Sequence, residues 1–294
     1  SSTRAPAGPG RPITVKASEA EFRYGDVTDP RSLREAGFRG ERFDALVSCL
    51  ASRTGAPADA WAIDHAAHSQ ALRLAQDAGV QQMVLLSAIC VQKPLLAFQQ
   101  AKLAFEQELI ASGLTYSIVR PTAFFKSLSG QVRRVQSGKP FVVFGDGRLT
   151  ACKPISDADL ATYLADCLDD TALQNQILPI GGPGPAISPR DQGEQLFALL
   201  GKKARFRQVP VRVLSGVQRT LALLGRASPS LAEKAELAQI GHYYATESML
   251  VLDPETRRFD ADATPSTGTE TLFEFYARLL RGETAVDLGK HAVF

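Results

Sequence analysis

The stretch QQMVLLSAI (81–89), followed by LAFQQAKLAFEQELIASG (96–113) and LTYSIVRPTAF (114–124), decides the fold. The first and third pieces are short and rich in apolar residues, the pattern of a strand buried on both faces. The middle piece has apolar residues at helical spacing and closes on a glycine. Strand, helix, strand at this cadence means a parallel pair joined by a crossover, because a tight turn cannot join parallel neighbours. Working towards the N-terminus, the rhythm repeats. The segment 59–79 carries Trp61, Ile63, Ala67, Leu72, Leu74 and Ala78 at helical spacing, and FDALVSCLA (43–51) reads as another buried strand. DPRSLREAGF (29–38) reads as a short helix, and EFRYGD (21–26) as a strand ending in a turn. Right-handed crossovers put such helices on both faces of one sheet. The expected fold is α/β, a doubly wound parallel sheet of Rossmann type.

Beyond Phe124 the rhythm changes. GQVRRVQSG (130–138) reads as helical, and FVVFGDGRL (141–149) as a strand running into a Gly-Asp-Gly turn. SDADLATYLADCLDD (156–170) is a helix with Ser156 as N-cap, and Asp157 and Asp159 favour its positive start. QILPIGG (176–182) supplies one more strand of the main sheet. The remainder mixes helices (189–201, 211–225, 272–282) with a short strand at 204–210, and MLVL (249–252) reads as strand or core. The expected division is a Rossmann-like nucleotide domain over 1–187 and a smaller C-terminal substrate lobe over 188–294.

Composition narrows the function classes. The chain has 294 residues, 45% of them hydrophobic and 22% charged, with a net charge of +2. Lysine and arginine are scattered, so a nucleic-acid partner is not expected. Cys49, Cys90, Cys152 and Cys167 are far apart, with no CxxC and no histidine at ligand spacing. Free thiols in a reducing compartment follow, and no metal site is expected. No apolar run reaches the roughly 18 residues of a membrane span, and no signal peptide is visible.

In an open parallel sheet, ligands bind at the carboxyl ends of the strands. The residues there are Gly25-Asp26-Val27, Cys49-Leu50-Ala51-Ser52, Ser87-Ala88 and Arg120-Pro121-Thr122. Any one of these turns is unremarkable; four on consecutive strands, most of them small, point to a dinucleotide lying close to the backbone.

With those residues in place, the sequence resembles the short-chain dehydrogenase superfamily in its atypical, NmrA-like branch. GDVTDP (25–30) is similar to the superfamily's aspartate turn, which implies that Asp26 and Val27 hold the adenine. Ser87 matches the serine of its Ser/Tyr/Lys set, and Lys102 the lysine, which implies catalytic and cofactor-binding roles for both. Cys49, Ala51, Pro121 and Thr122 complete the expected cofactor contacts. The tyrosine of the set is replaced by Phe98, four residues before Lys102 on the same helix face. Without that phenol, alcohol–ketone chemistry by the usual route is not expected. A carbon–carbon double bond conjugated to a large π-system suits the site better. Hydride addition at its far end leaves a carbanion that the ring system delocalises, so the main task becomes placement of donor and acceptor.

Three longer segments sharpen the resemblance: 87–106, 120–168 and 241–276 are similar, in order and spacing, to the divinyl chlorophyllide a 8-vinyl-reductase family. That resemblance implies NADPH as cofactor, reduction of a vinyl group on a tetrapyrrole, and a place in (bacterio)chlorophyll synthesis. It also implies a location in the cytoplasm of a phototrophic bacterium or in a chloroplast, with peripheral contact to photosynthetic membranes. The family's Gly-x-x-Gly-x-x-Gly turn and the first strand–helix–strand unit do not occur in the sequence, and the expectation is that both lie upstream of Ser1. Arg4 is a candidate partner for a 2′-phosphate, against the plainer reading of a surface arginine.

The expected substrate contacts are Phe124, Phe125, Lys126 and Lys153. The phenylalanines would stack on a flat macrocycle, against the plainer reading of core filling. The lysines would pair with a propionate or supply a proton, against an ordinary surface role. His242, Tyr243 and Tyr244 are lower-ranked acids, since the sequence does not place them near the nicotinamide. Two alternatives stay open: a quinone or isoflavone-type reductase, and an NmrA-like subunit that binds a dinucleotide without turnover.

Overall fold

The computed structural model describes residues 20–213, 216, 221 and 229–286. Four parallel strands form the main sheet: β1 (Ala45–Ser48), β2 (Gln82–Leu86), β3 (Thr115–Pro121) and, beyond β4 (Phe141–Phe144), β5 (Gln176–Ile180). Their order is β1-β2-β3-β5. Alternation along the strands feeds two cores. Met83, Leu85 and Ile118 meet Leu72, Phe105 and Leu109 on one face, while Val84, Val119 and Ile180 meet Ile155, Leu160 and Leu164 on the other. Both faces are covered, as the continuous apolar runs require.

After a short α1 (Pro30–Ser32, continued by a π-turn Leu33–Phe38), α2 runs in three segments. These are Pro57–Ala60, a π-helical stretch Trp61–Ala67, and His68–Asp77. It packs with α3 (Ala97–Ala111) on the first face. The short helices α4 (Phe125–Leu128) and α5 (Val132–Gln136) follow β3. Helix α6 (Asp157–Asp169) covers the second face, and Ser156 caps it by accepting from the Asp159 amide at 3.0 Å.

Helix α7 (Pro189–Leu199), β6 (Phe206–Val209), α8 (Pro229–Thr246), β7 (Val251–Leu252), β8 (Phe259–Asp260) and α9 (Leu272–Arg281) follow among the described residues. Strand β6 pairs with β4 in parallel. The lobe's core joins Phe141 and Val143 of β4 to Leu196, Phe197, Leu272 and Tyr276, so it draws on residues from both sides of 187. A further cluster sets Tyr243 of α8 and Met249 against Ile89, Cys90 and Leu96 beside the tip of β2.

One sequence expectation needs correction. Residues 21–26 form no strand; they run irregular and mostly exposed to a turn. A strand exists through its backbone ladder, and none pairs with this segment among the described residues; the Arg23 side chain bonds to Gly37 O, Glu21 and Glu41. Arg4 and most of the expected helix 211–225 lie outside the described residues.

Candidate functional site

The carboxyl ends of β1, β2 and β3 carry the small residues that the sequence singled out. Cys49 and Ala51 are exposed after β1, while Ser87 after β2 and Thr122 after β3 are buried. The Thr122 hydroxyl donates to the carbonyl of Lys153, tying β3 to the segment leading into α6.

Two buried ionic groups stand behind these tips. Lys102 on α3 is 9% exposed, and its ammonium lies 3.0 Å from Asp64 Oδ1. Asp64 sits within the π-helical stretch of α2, and the same oxygen accepts from the Ser52 amide at 3.2 Å. Its Oδ2 is buried with no hydrogen-bond partner. In the second group, Glu106 has no exposure, accepts from Ser87 Oγ at 2.5 Å, and forms an ion pair with Arg120. Buried charges persist when paired and hydrogen-bonded, and here the pairing links α3 to the ends of β2 and β3. The Ser87 proton is thereby committed to Glu106, which leaves the Oγ lone pairs as acceptors. His68 packs against Phe105 with ring centroids 4.7 Å apart; burial, then the Lys102 charge, pushes its pKa down to about 4.

The donor set suits a dinucleotide's ribose. An ammonium has three donors and Asp64 Oδ1 takes one. At the other expected contact, Asp26 Oδ1 accepts from the Thr28 amide (2.8 Å) and hydroxyl (2.6 Å), and the Asp26 amide donates to Ser32 Oγ. Those Thr28 bonds, first the hydroxyl's and then the amide's, hold the Asp26 pKa below the usual carboxylate range. Val27 beside it is half-buried.

A cavity of about 500 Å³ opens where the sheet tips meet the lobe. Ala88, Pro121 and Thr122 line it from the sheet, and Phe124, Leu128, Phe141 and Val143 form an apolar wall. Such a volume and lining are typical of a small-molecule site. From the C-terminal half come Tyr244 and Met249.

Of the four expected substrate contacts, the structure brings Phe124 to this cavity and not the others. Consecutive residues point apart, so Phe125 turns into the lobe core, 5.4 Å from the ring of Phe275. Lys126 is exposed and borders a separate cleft with Arg278. The Lys153 ammonium donates to Thr264 O at 2.8 Å, which spends its charge on the β8 side of the lobe. Asp64, Glu106 and Cys90 were not among the sequence candidates. Buried carboxylates at apolar helix positions were a usable signal for the first two, although their partners were not legible.

Comparison with known proteins agrees with this geometry. Residues 11–171 match the NAD(P)H-binding family. The chain is 48% identical over 288 residues to the chloroplastic divinyl chlorophyllide a 8-vinyl-reductase of Oryza sativa subsp. indica, covering 96% of this chain and 71% of that protein. It is 54% identical over 257 residues to the same enzyme of Cucumis sativus, covering 85% of this chain and 61% of that protein. Among solved structures, an NADPH-dependent quinone oxidoreductase from Escherichia coli, complexed with NADPH, superposes with a TM-score of 0.58. Its identity is 17%, with 88% of this chain and 83% of that one covered. A nucleoside-diphosphate-sugar epimerase from Staphylococcus aureus gives 0.59 at 12% identity, covering 86% and 81%. These two likenesses speak for the Rossmann-like fold alone.

Proposed function

The chain belongs to the divinyl chlorophyllide a 8-vinyl-reductase family, and from that premise we infer that it uses NADPH to reduce the 8-vinyl group of a divinyl chlorophyllide to ethyl. The observation that carries this reading is the cavity joining the sheet tips to an apolar wall. Its lining offers a flat conjugated pigment a place beside the strand ends where a nicotinamide belongs. When bound, NADPH supplies the hydride. Lys102, steadied by Asp64, binds the nicotinamide ribose, while Ser87, steadied by Glu106, sets the edge of the site. Asp26 and Val27 hold the adenine end, and Cys49, Ala51, Pro121 and Thr122 let the cofactor approach the backbone. Phe98 brings no proton to the site, which fits an alkene acceptor better than a carbonyl. Placement supplies much of the rate in such a reaction.

The division of labour follows residues 1–187 for the nucleotide and 188–294 for the substrate, with β4 contributing to the lobe's core. No helix among the described residues is long and apolar enough to cross a membrane. Leu149 and Leu237 border the cavity while about half exposed, which supports peripheral contact with a pigment-bearing membrane, in a bacterium or a chloroplast. Co-sedimentation with vesicles of photosynthetic lipids tests that contact, and recovery of all protein in the supernatant contradicts it.

The decisive experiment mixes the protein with NADPH and divinyl chlorophyllide and follows the pigment by chromatography. Monovinyl product is expected. Folded protein that binds NADPH yet yields none, or that oxidises NADPH only with a quinone, removes this reading.

A further inference from the structure

A reduction of this kind needs a proton as well as a hydride, and the helix position that carries a phenol in related enzymes holds Phe98. The lobe brings a phenol to the cavity at the sheet tips from elsewhere. Ile240 of α8 and Phe98 of α3 belong to one apolar cluster, and both border Gly55. Tyr244 lies four residues after Ile240, on the same face of α8, and lines the cavity with Ala88, Pro121 and Thr122. Its hydroxyl lies 3.9 Å from Cys90 Sγ. The neighbouring Tyr243 does not compete, because its hydroxyl donates to Cys90 O at 2.9 Å within the core.

Four other proton-bearing groups of the lining are less suited. Glu247 is engaged with the Lys93 ammonium at 2.7 Å. Thr122 and Ser188 are engaged, with Lys153 O and with the Asp191 carboxylate, and aliphatic alcohols are weaker acids than a phenol. The Cys152 thiol is directed at the carbonyl of Ile187, 4.0 Å away.

We propose that Tyr244 is the catalytic acid of vinyl reduction, delivering its hydroxyl proton to the inner carbon of the 8-vinyl group. This rests on the vinyl-reductase reading above. Hydride adds to the terminal vinyl carbon, the π bond breaks, and its electron pair moves to the inner carbon and the macrocycle; NADPH leaves as NADP+. The Tyr244 O–H bond then breaks, a C–H bond forms at the inner carbon, and water returns a proton to the phenolate. The pKa of Tyr244, raised well above 10 mainly by burial in the cavity wall, keeps the phenol protonated between turnovers. Its 42% exposure opens towards the cavity, where a pigment would cover it.

Tyr244→Phe removes one oxygen and keeps the ring. Positioned acid catalysis contributes on the order of 10²–10⁴-fold, so kcat is expected to fall by about 100-fold or more. Pigment binding without NADPH, read by fluorescence quenching, should stay within about 3-fold. In D2O the wild-type protein should make the ethyl methylene as CHD of one configuration, because the acid sits on one side; residual turnover by the variant should give a mixture. A kcat within about twofold of wild type overturns the proposal, as does a slow variant whose pigment binding weakens in parallel or whose product keeps a single configuration. If wild-type protein itself yields no monovinyl pigment, the reading of the function fails rather than the assignment of Tyr244.

Discussion

At the scale of single residues, Lys102 and His68 show what burial does to a charge. The Lys102 ammonium sits 3.0 Å from a buried carboxylate, and in the function proposed above its other donors hold a ribose. A charge-assisted hydrogen bond contributes about 1.5–3 kcal/mol, so Lys102→Ala should weaken NADPH binding by roughly 10–100-fold. Nicotinamide fluorescence titration reads that loss, and an unchanged dissociation constant would return Lys102 to a purely structural pairing with Asp64. His68 is neutral in the fold because burial, helped by the Lys102 charge, lowers its pKa to about 4 from the ordinary 6.5. The unfolded chain therefore binds the extra proton first. The stability tied to this group is complete above about pH 6.5 and is lost as pH falls through about 4. At 1.36 kcal/mol per pKa unit, the loss approaches about 3 kcal/mol. Urea unfolding of wild type and His68→Leu at pH 7.5, 5.5 and 4 checks it: the variant should lack that part of the acid slope, and parallel slopes would count against the assignment.

At the scale of elements, close approach of backbones sets the geometry of the tips. The segment 153–155 lies against the end of β5, and a Cβ added at Gly182 would meet Pro154 O at 1.9 Å. That segment also holds Thr122 through the Lys153 carbonyl. Gly182→Ala should therefore cost at least the roughly 1–3 kcal/mol of an overpacked core and shift Thr122 at the cavity. Thermal unfolding measures the first effect, and a melting temperature equal to wild type would show that the contact relaxes freely. Elements with two buried faces were legible as apolar runs: β1, β2 and β3 fall within the expected stretches 43–51, 81–89 and 114–124. The segment 21–26 was not, because Phe22 and Tyr24 alternate like a strand yet stand exposed, and among the described residues no ladder takes up their backbone. The π-helical stretch that presents Asp64 was also hidden, since one wider turn leaves the apolar spacing of 59–79 almost unchanged.

At the scale of the whole molecule, ligand binding couples to folding. A cofactor that binds only the folded chain adds about 2.7 kcal/mol at 100 times its dissociation constant. NADPH should accordingly raise the melting temperature in proportion to the logarithm of its concentration. A flat response would contradict a cofactor site at the sheet tips. Lys102→Ala should need a higher NADPH concentration to reach the same rise, by the factor found in the binding titration.

The sequence by itself determined the parallel sheet, the strand ends where a dinucleotide belongs, and the kinship with vinyl reductases. These are written in local periodicity and in residues close together along the chain. Only the tertiary structure decided that Lys102 meets Asp64, that Ser87 leans on Glu106, and that Phe124 reaches the cavity while Phe125 and Lys153 do not. It also decided that a phenol from α8 stands at the cavity beside Cys90. Tyr244 and Cys90 are 154 residues apart, and no pattern along the chain encodes a contact that exists only once two distant helices have packed.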